Sequence, residues 1–183
     1  MITGIGPVTS LGIGKAVFWT NLLAGAKPEI RQVPACKATT KSRVYVPFPQ
    51  FSITDYGIPA YYNFLQPEDK LAILGTKLAL EDAGFGVTAD AKTFRVAETS
   101  DIATIIGTGF TGLETAFFSY LAHLGLDYYC DRQHKKVSYN RMVIPLLMNN
   151  SPAAWTSILF GLKGEGYTAS SSCASGTCAL GQA

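Results

Sequence analysis

Residues 168–183 read TASSSCASGTCALGQA, and this small-residue segment decides how the whole chain is interpreted. A strand-like run approaches Cys173, and the helix-forming residues Ala179 and Leu180 follow it. Small residues on both sides of the cysteine favour a sharp turn from a strand into a helix, with the thiol at the helix N-terminus. Backbone N–H groups and the positive end of the helix dipole stabilise a thiolate there, and they also stabilise an oxyanion on an acylated sulfur. The segment therefore predicts a nucleophilic cysteine suited to acyl transfer.

A second interpretation of Cys173 is structural, because a small buried cysteine packs where a larger side chain would not fit. Composition and spacing alone favour this packing role. Cys178, five residues further on, is also expected to fill space, and a disulfide between the two cysteines would have poor geometry inside a helix. His123 and His134 lie in quite different segments, so neither is assigned as a base for Cys173.

Strand-like and helical patterns alternate along the rest of the chain. Apolar runs predict buried strands, and apolar residues at helical spacing predict helices that glycine ends or proline begins. This order predicts an α/β layered domain with mainly parallel strand pairing. The predicted strands are 1–6, 44–46, 101–106 and 164–170, the predicted helices are 14–23, 67–84, 112–124 and 145–160, and the predicted irregular segments are 26–65, 85–100 and 127–141.

Composition excludes several classes of protein. The 183 residues are 48% apolar and 15% charged, which excludes disorder and indicates one domain, or a piece of a larger one, with a large protein interface. No apolar run approaches the roughly 18 residues of a membrane span, and Met1–Thr9 lacks the features of a secretory signal.

A net charge of +2 without a basic tract predicts no nucleic-acid partner. Four cysteines without zinc spacing and two histidines predict no metal site, and reduced thiols in a cytoplasm are the expectation.

Residues 107–112, GTGFTG, match the dinucleotide-binding pattern G-x-G-x-x-G after an apolar strand and before a helix. Asp127 lies 20 residues beyond Gly107, but it follows a helix and a turn where that pattern requires a second apolar strand. A tight turn at which backbones pack closely is the preferred interpretation. A nucleotide-binding domain built on this loop is the third-ranked alternative for the chain.

The segment SSSCASGTCALGQA resembles the nucleophile segment of the β-ketoacyl-[acyl-carrier-protein] synthases, which are condensing enzymes of the thiolase superfamily. The resemblance covers nearly the whole chain, and the order and spacing of its blocks are more specific than any single block. These blocks are ITGIGPVTSLG with FWTNLLAG, DKLAILGTKLALEDAG, IIGTGFTGL, and the run from IPLLMNN through AAWTSILFGLKGEGYTASSSC.

The resemblance implies a thiolase-like α-β-α-β-α sandwich, of which residues 1–183 supply the N-terminal half. It implies decarboxylative condensation of an acyl group on Cys173 with malonyl-carrier protein in fatty-acid or polyketide-type biosynthesis, with no cofactor. Phe110 falls where the family gates its acyl pocket, and Lys135 and Lys136 fall in a basic region suited to an acidic carrier protein. Members usually form dimers.

The resemblance places two catalytic histidines and a lysine in a C-terminal half that this chain does not contain, so a complementary segment or second chain is expected. Two departures from the family bear on the substrate: Cys178 stands where many relatives have histidine, and a triple serine precedes Cys173. The second-ranked alternative is a non-catalytic partner subunit of the chain-length-factor type. Such relatives generally lack the cysteine that this chain keeps.

Overall fold

The computed structural model describes residues 1–32, 44–90, 93–96, 101–126, 128–130, 133–135 and 140–183, and of residues 95, 128–130 and 133–135 it describes the backbone alone. The strands in this part of the chain are β1 (Val8–Thr9), β2 (Gly12–Ile13), β3 (Arg31–Gln32), β4 (Val44–Tyr45), β5 (Val87–Asp90), β6 (Thr93–Val96), β7 (Thr104–Gly107), β8 (Tyr128–Cys130), β9 (Gln133–Lys135) and β10 (Gly166–Ala169). Its α-helices are α1 (Lys15–Leu23), α2 (Pro67–Asp82), α3 (Leu113–His123), α4 (Val143–Leu147), α5 (Ser151–Phe160) and α6 (Ser175–Gln182). Short 3₁₀ helices cover Ile53–Tyr56, Ala60–Phe64 and Ser172–Ala174.

The core is built around the contact between α2 and α5. Helix α2 begins at Pro67, whose fixed φ suits the first helical position, and two acidic residues follow in its first turn. Its Leu74 is fully buried, as are Leu159 and Phe160 at the end of α5. Burying side chains of this size stabilises a fold by about 1.5–3 kcal/mol each. The α2–α5 contact therefore fixes the frame on which the remaining elements are placed.

Strands β7 and β10 form a parallel pair that positions the candidate site. Thr104 is paired with Gly166 at one end of the ladder and Gly107 with Ala169 at the other. The chain between the two strands passes through α3, α4 and α5, which is the long crossover that parallel pairing requires. Because parallel strands end at the same edge, the loop that follows β7 and the turn that follows β10 lie beside each other.

Most of the predicted elements are present. Helices α1, α2 and α3 lie within the predicted ranges 14–23, 67–84 and 112–124, and β4 lies within 44–46. Strand β10 lies within its predicted range, and β7 begins three residues later and ends one residue later than predicted. The predicted helix 145–160 is divided into α4 and α5, with Pro152 in the first turn of α5.

The predicted strand at residues 1–6 is wrong, because no strand begins before Val8 in the described residues. This segment lies against α2 instead. A Cβ atom on Gly4 would collide with the carbonyl oxygen of Ala79, and one on Gly6 would collide with that of Gly75. Glycine thus permits backbone to pack directly on the helix, and Ile5 N–H donates to an Asp82 oxygen at 3.0 Å.

All three segments predicted to be irregular contain antiparallel strand pairs, and within 26–65 the strand β3, which was not predicted, pairs with β4. Within 85–100, β5 pairs with β6, and within 127–141, β8 pairs with β9. The β5–β6 hairpin is part of the core, because Phe94 is 4% exposed and stacks on Phe160 with ring centroids 5.2 Å apart. The expectation of mainly parallel pairing is also wrong for the described residues, in which β7–β10 is the parallel pair and the other four pairs are antiparallel.

Large apolar side chains remain exposed on several helices. Helix α1 has no buried residue, and its Trp19 is 56% exposed. Large apolar side chains are also exposed on α3 and α6, although each of these two helices has two buried residues. Exposed surface of this kind marks protein interfaces, in agreement with the low charge content. None of the helices in the described ranges has the length and apolar character needed to cross a bilayer. The exposed apolar residues on α1, α3 and α6 are Val17, Trp19, Leu22, Leu23, Leu113, Phe117, Tyr120 and Leu180.

Candidate functional site

Cys173 lies in the turn between β10 and α6. The 3₁₀ turn Ser172–Ala174 leads directly into α6, which begins at Ser175. The thiol belongs to an exposed residue and forms no disulfide. The predicted change from strand to helix is therefore present around Cys173. The first turn of α6 follows within two residues, so its unpaired N–H groups lie next to the cysteine in the chain.

Ser172, the residue before Cys173, has a left-handed backbone conformation with φ of +50°. Among the non-glycine residues in the described part of the chain, Ser172 alone has a positive φ. Such a conformation costs of the order of 1–3 kcal/mol and persists only where surrounding contacts impose it. The strained residue lies directly before Cys173, which is exposed.

The side chain of Ser175 supplies those contacts. Its Oγ accepts a hydrogen bond from Ser171 N–H at 2.8 Å and lies 2.7 Å from the carbonyl oxygen of Ser172, to which it donates. The same Oγ lies 3.2 Å from the carbonyl oxygen of Thr108, in the loop that follows β7. Ser175 is 3% exposed. A single buried hydroxyl thus connects the cysteine turn with the neighbouring loop.

The loop between β7 and α3 packs closely on the cysteine turn. Thr108 N–H donates to the Ala169 carbonyl at 3.0 Å, and Ser170 Oγ donates to the Gly109 carbonyl at 3.3 Å. A Cβ atom on Gly107 would overlap the Ser175 carbonyl group, so glycine is required by close packing at this position. These contacts agree with the interpretation of residues 107–112 as a tight turn.

Phe110 occupies the middle of this loop and is 74% exposed. The next residue, Thr111, is 4% exposed, and its Oγ1 donates to the Met148 carbonyl at 3.0 Å. Gly112 follows with φ of +70° and no room for a side chain, because a Cβ would overlap the Leu146 carbonyl. The loop is therefore fixed on both sides of Phe110, whereas the ring itself projects from the surface next to the cysteine turn.

The other residues singled out in the sequence lie elsewhere. Cys178 is half-buried on α6, and its thiol is free. His123 is the last residue of α3, and a helix of this length places it about 15 Å along the axis from the loop that holds Phe110. The backbone of Lys135 lies at the end of β9, whereas Lys136 and Asp127 lie outside the described residues.

Cavities of about 470 and 280 Å³ lie between α2, the segment before β1 and strand β7. A third, of about 360 Å³, lies beside α5. Neither Cys173 nor Phe110 lines any of the three. Within the ranges that the structure describes, no three histidine, cysteine or acidic side chains lie together in a way that could hold a metal ion. In the described part of the chain, both Cys173 and Phe110 are exposed.

Ser175 is the residue of this site that the sequence did not single out. It was one member of a run of small residues, and such runs say little about individual hydroxyls. A serine near a predicted helix start was the available signal, because serine is favoured at the N-cap. The N-cap here is Ala174, and the Ser175 oxygen accepts the N–H of Ser171, before the helix. The pairing with Thr108 could not be foreseen, since the two residues lie 67 positions apart in the sequence.

A family model described as "Beta-ketoacyl synthase, N-terminal domain" matches residues 1–183. The chain is 26% identical over 190 residues to "3-oxoacyl-[acyl-carrier-protein] synthase 2" of Rhizobium meliloti (strain 1021), and the match covers 100% of this chain and 42% of that protein. The chain thus spans about two fifths of the length of the curated relatives that it matches.

Two solved structures have a similar fold. The crystal structure of a β-ketoacyl synthase from Burkholderia phymatum STM815 matches with a TM-score of 0.74 and 26% identity, over 100% of this chain and 41% of that one. A structure described as the ishigamide ketosynthase/chain length factor matches with a TM-score of 0.66 and 16% identity, over 92% of this chain and 39% of that one. At 16% identity, the second match concerns the fold alone.

Proposed function

Because this chain belongs to the β-ketoacyl synthase family, whose N-terminal domain its residues 1–183 match, we propose that Cys173 is the acyl acceptor of a 3-oxoacyl-[acyl-carrier-protein] synthase. The thiolase-like fold expected from the sequence is that of the ketosynthase structures that the chain resembles. The observation that carries the proposal is the exposed thiol of Cys173 on a turn between a parallel strand and a helix N-terminus. A nucleophile needs this combination of access and stabilising N–H groups.

In the proposed reaction, the Cys173 thiolate attacks the carbonyl carbon of an acyl thioester and expels the thiolate of the carrier protein. A malonyl thioester then loses carbon dioxide, and its carbanion attacks the acyl group on Cys173. The carbon–sulfur bond breaks, the cysteine regains its thiolate, and the product is a 3-oxoacyl thioester two carbons longer. The N–H groups at the start of α6 would stabilise the oxyanion that forms at each attack.

A segment beyond these residues would complete the active site. Neither of the two histidines of this chain is proposed as a catalytic base, and His123 lies at the far end of α3 from the site. The chain spans 42% of the relative from Rhizobium meliloti, which leaves the larger part of such a protein to supply histidines and a lysine. The open position of Cys173 and the apolar surfaces of α1, α3 and α6 support a complementary segment or a second chain.

An acyl carrier protein is the proposed partner in substrate delivery, with Lys135 and Lys136 as its docking residues. Carrier proteins are acidic, so a basic surface would attract them at long range. We also propose that the complete enzyme is a dimer in the cytoplasm, and that fatty-acid or polyketide-type biosynthesis uses its product.

The test is covalent labelling of the full-length enzyme. Incubation with cerulenin or with a long-chain acyl thioester, followed by peptide mass spectrometry, should yield an adduct on Cys173 in the wild type. The Cys173→Ala variant should yield none at that residue, and Cys178→Ala, in the helix that follows the turn of Cys173, should be labelled at Cys173 as the wild type is. Labelling of Cys178 in place of Cys173 would contradict the proposed nucleophile.

A non-catalytic partner of the chain-length-factor type is the second candidate. The structural match to the ishigamide ketosynthase/chain length factor concerns the fold alone, at 16% identity. The retained and exposed Cys173 favours the catalytic role, since a subunit that only shapes a pocket has no need of a nucleophile. An enzyme preparation that is never acylated at Cys173, yet changes the product length of a second synthase, would support this candidate.

A further inference from the structure

The hydroxyl of Ser175 can donate one hydrogen bond, and two carbonyl oxygens lie within hydrogen-bonding distance of it. The Ser172 carbonyl lies at 2.7 Å and belongs to the cysteine turn, whereas the Thr108 carbonyl lies at 3.2 Å and belongs to the loop with Phe110. The lone-pair side of the same oxygen accepts Ser171 N–H at 2.8 Å. At 3% exposure, the hydroxyl has almost no water with which to exchange these partners. Its hydrogen bonds are therefore made within the site.

We propose that Ser175 is a positioning residue that couples the loop carrying Phe110 to the turn carrying Cys173. A proton shared between two carbonyls can favour only one of them at a time. Donation to Ser172 tightens the turn, and donation to Thr108 ties the loop to that turn. A displacement of the loop, two residues from Phe110, thus changes the hydrogen bond that holds the residue before Cys173.

The backbone around Ser175 supports this coupling. Ser172 keeps its left-handed conformation only while neighbouring contacts impose it, and two of those contacts are hydrogen bonds of Ser175. On the other side, Gly107 lies so close to the Ser175 carbonyl that no side chain fits between them. The loop cannot shift as an independent unit, because its first residues are packed on the first turn of α6.

The first experiment measures the reactivity of Cys173 without any substrate of the proposed reaction. The full-length protein is treated with iodoacetamide, and peptide mass spectrometry follows alkylation of Cys173 relative to Cys178 over a series of pH values. In Ser175→Ala, we expect the relative rate at Cys173 to fall by about three- to tenfold, as the loss of one hydrogen bond predicts. An unchanged relative rate would overturn the positioning role.

Ser170→Ala is the matched control, because its exposed hydroxyl also bonds the loop, at the Gly109 carbonyl, but not the turn. We expect it to leave the relative alkylation rate within about 1.5-fold of the wild type, since exposed hydroxyls exchange partners with water. Ser175→Cys provides a second variant that keeps the shape of the side chain with weaker hydrogen bonds. It should shift the rate in the same direction as Ser175→Ala, and the opposite direction would count against the proposal.

The second experiment rests on the proposed function and tests the coupling itself. Acylation of Cys173 by acetyl and decanoyl thioesters is compared in the wild type, Ser175→Ala, Phe110→Ala and the double variant. We expect Ser175→Ala to change the ratio of the two acylation rates at least threefold, and we expect this change to vanish when Phe110 is absent. A purely structural role would lower both rates equally, and that outcome would overturn the coupling.

The two experiments separate the two claims. If no thioester acylates Cys173 in the wild type, the proposed function fails, while the alkylation experiment still decides whether Ser175 positions the cysteine turn. If acylation occurs and both the alkylation rate and the acyl-length ratio are unaffected in Ser175→Ala, the inference about Ser175 fails and the proposed function stands.

Discussion

Phe110 shows how the role of one residue depends on a neighbour distant in sequence. Its ring is 74% exposed, on a loop whose flanking residues are fixed by bonds to Ala169 and Met148. If Cys173 is the proposed nucleophile, a bulky ring on a loop that packs on its turn is suited to limiting what can approach the thiol. The ring can change rotamer without any movement of the backbone, because most of its surface is exposed.

Replacing Phe110 with alanine should change the acyl-chain preference of the full-length enzyme. If the ring shortens or gates the acyl pocket, its removal should shift acylation of Cys173 toward longer thioesters by about tenfold, the effect of roughly 1.4 kcal/mol. The measurement is the rate of acylation across a series of chain lengths. Leu113→Ala, at another exposed apolar residue near the same loop, is the matched control. An unchanged length profile in Phe110→Ala would contradict the gating role.

Asp69 is a second residue whose environment controls its chemistry. Burial raises its pKa from 3.8 to about 6, while hydrogen bonds from Ser151 Oγ and from Gln66 N–H oppose that rise. Neighbouring Glu68 raises the pKa slightly further, and Lys70 lowers it. Between about pH 4 and pH 6, the folded protein holds a proton here that the unfolded chain releases. Stability from this group is therefore present at low pH and is lost as the pH rises through that window.

Comparison with Asp69→Asn should reveal this dependence. The free energy of unfolding of the wild type, relative to the variant, should fall by up to about 3 kcal/mol between pH 4 and pH 7, because asparagine cannot ionise. Urea unfolding at a series of pH values measures the difference. Parallel curves for the two proteins would show that Asp69 titrates as an exposed carboxyl does. The absolute stability of the variant is expected to be lower at pH 4, since asparagine cannot accept both hydrogen bonds.

At the scale of elements, the candidate site depends on how closely β7 approaches α6. The parallel register of β7 and β10 brings Gly107 beside Ala169, and the helix begins six residues after that point. Close approach of the two backbones leaves no space for a side chain on Gly107. The same closeness allows Thr108 to reach the hydroxyl of Ser175. The spacing between elements, which is set by a missing side chain, thus makes the hydrogen bonds of the site possible.

Gly107→Ala should therefore destabilise the protein and disturb the site together. The added methyl group would meet the Ser175 carbonyl and Gly176 N–H, and overpacking of this kind costs about 1–3 kcal/mol. Gly109→Ala is the matched control in the same loop, because a Cβ there would meet no atom within 4 Å. Thermal unfolding and alkylation of Cys173 would both be measured. Equal behaviour of the two variants would contradict the role given to close packing.

At the scale of the whole molecule, a low content of charged residues goes with many exposed apolar side chains. Only 15% of residues are charged, and large apolar side chains on α1, α3 and α6 are exposed. A pair of lysines on such a surface would attract an acidic partner at long range. Lys135 and Lys136 are adjacent in the sequence. Lys135 is the last residue of β9, and Lys136 follows it in the chain.

Charge reversal at both lysines should weaken the use of carrier-bound substrate. In Lys135→Glu/Lys136→Glu, we expect the KM for a carrier-bound acyl substrate to rise about tenfold at low salt, with less effect at high salt. The KM for a small thioester should not change. Lys27→Glu/Lys163→Glu carries the same change in net charge at two lysines elsewhere in the chain, both of them exposed, and controls for it. Equal effects of both pairs, or an effect on the small thioester, would contradict specific docking.

Local sequence determined much of the fold. Helices α1, α2 and α3 follow from apolar spacing bounded by glycine and proline, and the turn at Cys173 follows from small residues between a strand and a helix. Each of these patterns lies within a short stretch of sequence, about one or two helical turns long. The β5–β6 hairpin escaped prediction because its short, partly polar strands take their stability from Phe94 stacking on Phe160, 66 residues away. The expected strand at residues 1–6 failed because its glycines pack it on α2 instead.

The sequence by itself determined that a cysteine stands at the start of a helix, because the composition of residues 168–183 permits little else. Only the tertiary structure decided which loop lies against that cysteine. The parallel pairing of β7 with β10 places Thr108 within hydrogen-bonding distance of Ser175, and no local signal encodes a contact across 67 residues. Every residue has a backbone carbonyl, so the sequence does not indicate which carbonyls accept the hydrogen bonds of a given side chain. The partners of a buried hydroxyl are therefore fixed by packing alone.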